Sequence, residues 1–221
     1  MKFVFYVIGI FVLTLGIALT IQSDLGTSPF DALLVGLSEN VGLTVGSWEI
    51  IVALMLIGCN ALLSQRRPEI LGLLTAMITG FGIDLWLFLL HGWPGSELWP
   101  GQWVCFAFGL IVIGLGTATY LYTNFAPIPV DRLTLIIRDL MKTNLFFART
   151  LVYLAFLLVA ILLKGPIGIG TILTVCFGGL ILNFFMPIIR KGLGGICSRS
   201  VTPTFRESDD KCERSASPDS F

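Results

Sequence analysis

The chain reads as an all-α polytopic membrane protein, with six transmembrane helices laid out as two inverted three-helix repeats, each carrying a short Pro-x-Asp helix that is re-entrant or interfacial. Three observations predict this. Of 221 residues, 55% are hydrophobic and 13% charged, about half the ~25% charged share of soluble domains, and mean hydropathy is +0.90. This composition excludes a soluble globular enzyme. Six apolar stretches are each long enough to cross a hydrocarbon core of about 30 Å at about 1.5 Å per residue. Finally, the chain resembles itself when shifted by 100 residues.

The expected spans are 3–22, 47–64, 69–90, 102–122, 146–164 and 167–188. The first follows a single Lys2, runs too long for a signal peptide and lacks a small-residue cleavage site at Ala18-Leu19-Thr20, so it is read as a retained helix. Two further segments, Ser28 to Val41 and Pro129 to Lys142, are helix-like but short and charged at their ends. If neither crosses and the N-terminus is inside, Lys2, Arg66, Arg67, Arg132, Arg138, Lys142, Arg149 and the basic residues of the tail all lie inside, with only Lys164 outside. The expected organisation is one membrane domain, 1–189, with repeat one at about 1–91 and repeat two at about 102–189. Residues 190–221 form a polar tail expected to be disordered and cytoplasmic.

In the self-comparison Gly9 falls on Gly109, Gly16 on Gly116, Ala18 on Ala118, Pro29 on Pro129 and Asp31 on Asp131. Leu-on-Leu matches are expected by chance here, so the Gly, Pro and Asp matches carry the weight. Three spans per repeat is an odd number, which turns the second copy upside down. The two Pro-x-Asp segments then approach from opposite faces, a plan common in secondary transporters.

Pro29 and Pro129 stand where a helix would begin, since the first helical position does not need its N–H. Asp31 and Asp131 then fall in the first turn, where an acid stabilises the positive helix end, and Ser28 with Asp31 resembles a capping box. Capping is one reading. The other is that both segments dip into the membrane, where free N–H groups bind an anionic group and Asp31 or Asp131 a cation or proton. Asp84 lies inside the third span, which suggests a polar cavity or partner unless it is hydrated near the outer interface, and Asn183 occupies the corresponding part of the last span. Glu49 with Ser47 reads as N-terminal capping of the second span. Arg149, 100 residues on, reads as a positive-inside residue, and the inversion places these two on opposite faces.

His91 stands alone, near Trp93, Pro94, Trp99 and Pro100, and suits an interfacial belt better than a metal site. The cysteines (Cys59, Cys105, Cys176, Cys197, Cys212) lack the paired spacings of zinc or redox sites, and glycines within spans suit close helix packing. There is no phosphate-binding loop, H-E-x-x-H or G-x-S-x-G motif, so no cofactor and no enzymatic activity are expected.

The run Gly16-Ile17-Ala18 through Asp24-Leu25-Gly26-Thr27-Ser28-Pro29-Phe30-Asp31, followed by Leu43-Thr44-Val45-Gly46, resembles the YczE-like and YitT-related bacterial integral membrane proteins over about residues 1–190. The second copy departs from it, with Ala126-Pro127 for Gly-Thr and Ile128 for Ser. The resemblance implies a multi-pass protein of the bacterial inner membrane and says little about activity, while the cytoplasmic placement of both termini rests on the distribution of Lys and Arg. The functional expectation is a small secondary transporter or permease for a small solute, driven by protons, with Asp31, Asp131 and Asp84 in the path. The alternative is a membrane accessory protein acting through a partner complex. Expected partners are the lipid bilayer, a small solute, and a second copy or another membrane protein; no nucleic acid is expected.

Overall fold

The computed structural model describes residues 2–65, 70–92, 99–123 and 125–194; Arg66, Arg67, Trp93, Pro94, Cys197, Cys212 and the rest of the tail lie outside the described residues. Within them the chain forms α1 (Lys2–Gln22), α2 (Pro29–Val41), α3 (Val45–Ser64), α4 (Leu71–Leu89), α5 (Trp99–Thr123), α6 (Pro129–Met141), α7 (Leu145–Leu162) and α8 (Ile169–Gly194), with no strand among the described residues. The 100-residue register persists in the elements. α2 and α6 start at matched prolines and run 13 residues each, and α3 and α7 start at matched positions. At 13 residues, α2 and α6 are about 20 Å long, too short to cross a bilayer core of about 30 Å.

Four helices, α1, α3, α4 and α5, are long and apolar enough to cross a membrane, and α7 and α8 supply the shorter apolar helices Phe147–Leu162 and Ile169–Gly178. Their outward faces are apolar too. Leu62 and Leu162, a matched pair, are each 81% exposed, as side chains in contact with lipid rather than water would be.

The core is the crossing of α1 with α5, which matched glycines permit. A Cβ on Gly16 would lie 2.6 Å from Ile113 N and 2.7 Å from Gly109 O; one on Gly116 would lie 2.6 Å from Leu13 Cα and 2.9 Å from Gly9 O. Only residues without a side chain let the backbones approach this closely, and in lipid such packing replaces the missing hydrophobic drive. Ascending positions on α1 meet descending positions on α5, so the two corresponding helices are antiparallel.

Much of the remaining packing comes in counterpart pairs, α1 on α4 and α5 on α8, α2 on α7 and α6 on α3, α2 on α3 and α6 on α7, while the close packing of α3 on α4 has no equal between α7 and α8 among the described residues. The short helices are thus exchanged between halves. Because α1 and α5 are antiparallel, the turns that follow them leave at opposite ends of the pair. The first turn docks on the start of α8, where Gly170 N–H donates to Leu25 O at 2.8 Å. Gly26 is required there, with φ at +100° and a Cβ position 2.6 Å from Gly168 N. The second turn docks on α1, α3 and α4. The Tyr6 hydroxyl meets Thr75 Oγ1 and lies 3.5 Å from Ala126 O, while Asn60 Nδ2 donates to Pro129 O at 3.0 Å. Asn60→Ala leaves Pro129 O without this donor but also removes Asn60 Oδ1, which is buried and unpartnered among the described residues, so its net cost is expected to stay below about 1 kcal/mol, a drop of less than roughly 2–4 °C in melting temperature for the detergent-purified protein.

Candidate functional site: a charged cavity between the halves

A cavity of about 130 Å³ lies between the two halves. Its walls are built from matched positions, among them Leu13 and Ile113, Ser28 and Ile128, Asp31 and Asp131, Glu49 and Arg149. Tyr120, Tyr153, Thr79, Thr117 and Thr174 add hydroxyls to it. Two turns that leave at opposite ends of the α1–α5 pair thus deliver their acids to one space.

In the first half Pro29 opens α2 and Ser28 caps it. The Ser28 hydroxyl accepts from Asp31 N–H at 3.2 Å and donates to the Asp31 carboxylate at 2.6 Å. Asp31 is 6% exposed. Capping and cavity lining are therefore both true of Asp31. In the second half Ile128 precedes α6 and offers no capping side chain. Asp131 instead accepts from the Tyr120 hydroxyl at 2.5 Å. Arg149 donates to the Tyr153 hydroxyl at 2.9 Å, stands 5.2 Å from that ring's centroid and feels the Asp131 charge.

Glu49 differs from all of these. It is 2% exposed, and its Oε2 has no hydrogen-bond partner among the described residues. The charged group acting on it is another acid, Asp31.

Several sequence expectations change here. Glu49 does not cap α3: Thr44 does, its Oγ1 accepting from Ser47 N–H at 3.1 Å, while Glu49 turns inward from the same first turns. Glu49 and Arg149 line one cavity rather than standing apart, because α2 packs on α7 and α6 on α3. Asp84, half-buried, has the polar partners expected of an acid inside a span, though away from this cavity: it accepts from Thr44 Oγ1 at 2.6 Å and Gly46 N–H at 2.8 Å, fastening α4 to the start of α3. The Asn183 side chain lies outside the described residues. Tyr120 and Tyr153 were not anticipated. The i, i+4 spacing of Arg149 and Tyr153 on one helix face was the available signal for the second. Among the described residues no three His, Cys, Asp or Glu side chains gather as a metal site would require.

Long apolar helices with lipid-facing outer surfaces around a buried polar space define an integral membrane protein in contact with the bilayer. Residues 1–187 match the family described as "Family of unknown function (DUF6198)", and the chain belongs to it. It is 59% identical over 191 residues to the protein named "Uncharacterized protein YyaS" of Bacillus subtilis (strain 168), covering 86% of this chain and 95% of that one. It is 35% identical over 188 residues to the "Uncharacterized membrane protein YczE" of the same organism, covering 85% and 86%. A Haemophilus influenzae protein is 26% identical over 184 residues, 81% of each chain. The YczE-like resemblance is thereby established. No solved structure matches.

Proposed function

We propose that the protein is a small secondary transporter or permease rather than an enzyme, with six spans forming two inverted repeats and both termini cytoplasmic. The observation that carries this reading is the convergence of Asp31 and Asp131, on matched short helices following antiparallel α1 and α5, upon one cavity between the halves. In such a plan, tilting one half against the other opens a central site to each face in turn. Acids in the path are suited to a proton gradient as energy source. A cavity of about 130 Å³, close to the roughly 150 Å³ that accepts benzene, suits a small solute.

The test uses a cysteine-free protein carrying Ile17→Cys or Thr117→Cys, matched positions on the cavity wall. A membrane-impermeant thiol reagent is applied to intact cells and to inverted membrane vesicles. Both cysteines are expected to react from both sides, because alternation exposes the cavity to each. Reaction from one side only would contradict transport and favour an accessory protein that binds a partner or ligand without moving it.

A further inference from the structure

The two halves are not electrically equivalent, and the difference lies at a matched position. In the second half Arg149 supplies a guanidinium near Asp131, and each has hydrogen-bonding company, Arg149 with Tyr153 and Asp131 with Tyr120. In the first half the same position is Glu49. Asp31 is served by Ser28, but Glu49, which lines the cavity, has an Oε2 that is buried and unpartnered among the described residues, and an acid as its charged neighbour. Around the cavity stand the carboxyls of Asp31, Glu49 and Asp131 and the phenols of Tyr120 and Tyr153, with Arg149 the cation among its lining residues. A buried carboxylate without a partner is costly; it must gain a positive charge or be neutralised. Among the described residues Asp31 is the charged group that acts on Glu49, so when this carboxyl is ionised its positive partner comes from outside the chain.

We propose that Glu49 is the attachment point for a small organic monocation, a primary ammonium on a compact apolar body, which plays in this half the part that Arg149 plays in the other. The assignment names the substrate class of the transport site and rests on that reading for the movement, though not for the binding. An ammonium carries three N–H donors and no acceptor. What faces it is acceptors. Besides Glu49 and Asp31 there is Thr79, whose hydroxyl proton is already given to Thr75 O at 2.9 Å, leaving lone pairs toward the cavity. The rest of the nearby wall, with Ile17, Phe30 and Ile83, suits hydrocarbon. A multivalent metal ion would need several converging ligands, and among the described residues no such group forms.

The same carboxyl can hold a proton when the ammonium is absent. Binding then exchanges one for the other: the Glu49 O–H bond breaks, its proton leaves to the side on which the cavity is open, and the carboxylate pairs with the incoming ammonium. Charge is conserved at the site, and proton coupling follows without a further group.

The test is isothermal titration calorimetry of the purified full-length protein in lipid nanodiscs, with isobutylammonium chloride as probe. Isobutanol, sodium isobutyrate and sodium chloride serve as comparators at fixed ionic strength. Isobutylammonium is expected to bind saturably with release of about one proton, read from the dependence of the heat on buffer ionisation, and the comparators not to bind. Glu49→Gln and, independently, Glu49→Met should weaken binding at least tenfold and remove the proton release, while Glu49→Asp keeps both in part. The proposal is overturned if isobutylammonium does not bind, if isobutyrate or sodium binds in its place, or if binding survives loss of the Glu49 carboxyl. If the ammonium fails while Ile17→Cys and Thr117→Cys react from both sides, the cation assignment falls and the transporter stands. If the ammonium binds through Glu49 but the cysteines react from one side only, the site stands and transport falls.

Discussion

Gly116→Leu is expected to remove most of the folded protein from the membrane. A Cβ there would sit 2.6 Å from Leu13 Cα and 2.9 Å from Gly9 O, which are main-chain atoms of a facing helix and cannot rotate away. Overpacking a core costs about 1–3 kcal/mol when side chains can adjust. Here α1 and α5 must separate, so the cost exceeds that range, and Gly16→Leu should behave alike, with Ile113 N at 2.6 Å. Gly58→Leu is the control, since nothing among the described residues lies within 4 Å of its Cβ position. Size-exclusion profiles of detergent extracts should show a monodisperse peak for Gly58→Leu and a lost or aggregated one for the other two. Normal peaks for Gly16→Leu and Gly116→Leu would mean that the halves do not meet at this crossing.

The second large effect has the opposite sign. Glu49→Met is expected to stabilise the protein while ending ligand binding at the cavity. Leaving a buried polar atom unpaired costs about 1–3 kcal/mol, and a methionine of similar length removes that cost without opening a void. The melting temperature should rise by roughly 2–10 °C. A residue kept at the expense of stability is what a binding site requires and what a packing position does not. A fall in melting temperature would mean that the Glu49 carboxyl holds the structure together.

Much of the fold is legible in the sequence because it rests on local, directional signals. Proline at a helix start fixed the positions of α2 and α6, expected from 28 to 41 and 129 to 142 and found at Pro29–Val41 and Pro129–Met141. Glycines repeated at 100-residue spacing signalled the repeat and close packing, and the structure places them at the α1–α5 crossing. The site was only half legible. Asp31 and Asp131 announced themselves by their place after the prolines, but the convergence of Glu49 and Arg149 depends on the exchange of α2 and α6 between halves, a long-range packing that no periodicity records. Asp84 has the polar partners that its place inside a span called for, but which they are was not legible for the same reason: Thr44 and Gly46 lie about 40 residues away in sequence. Tyr120 has Thr20 at its matched position, so the repeat gave no hint of its bond to Asp131.

The central claim is that the two halves face the membrane in opposite directions around one cavity. Val41 and Met141, at the matched ends of α2 and α6, are exposed and suited to test it. Single cysteines at these positions in a cysteine-free protein are treated in intact cells with a membrane-impermeant thiol reagent, then with a permeant one. The account predicts that Val41→Cys reacts with the impermeant reagent and Met141→Cys only with the permeant one; reaction of both from the same side would contradict it.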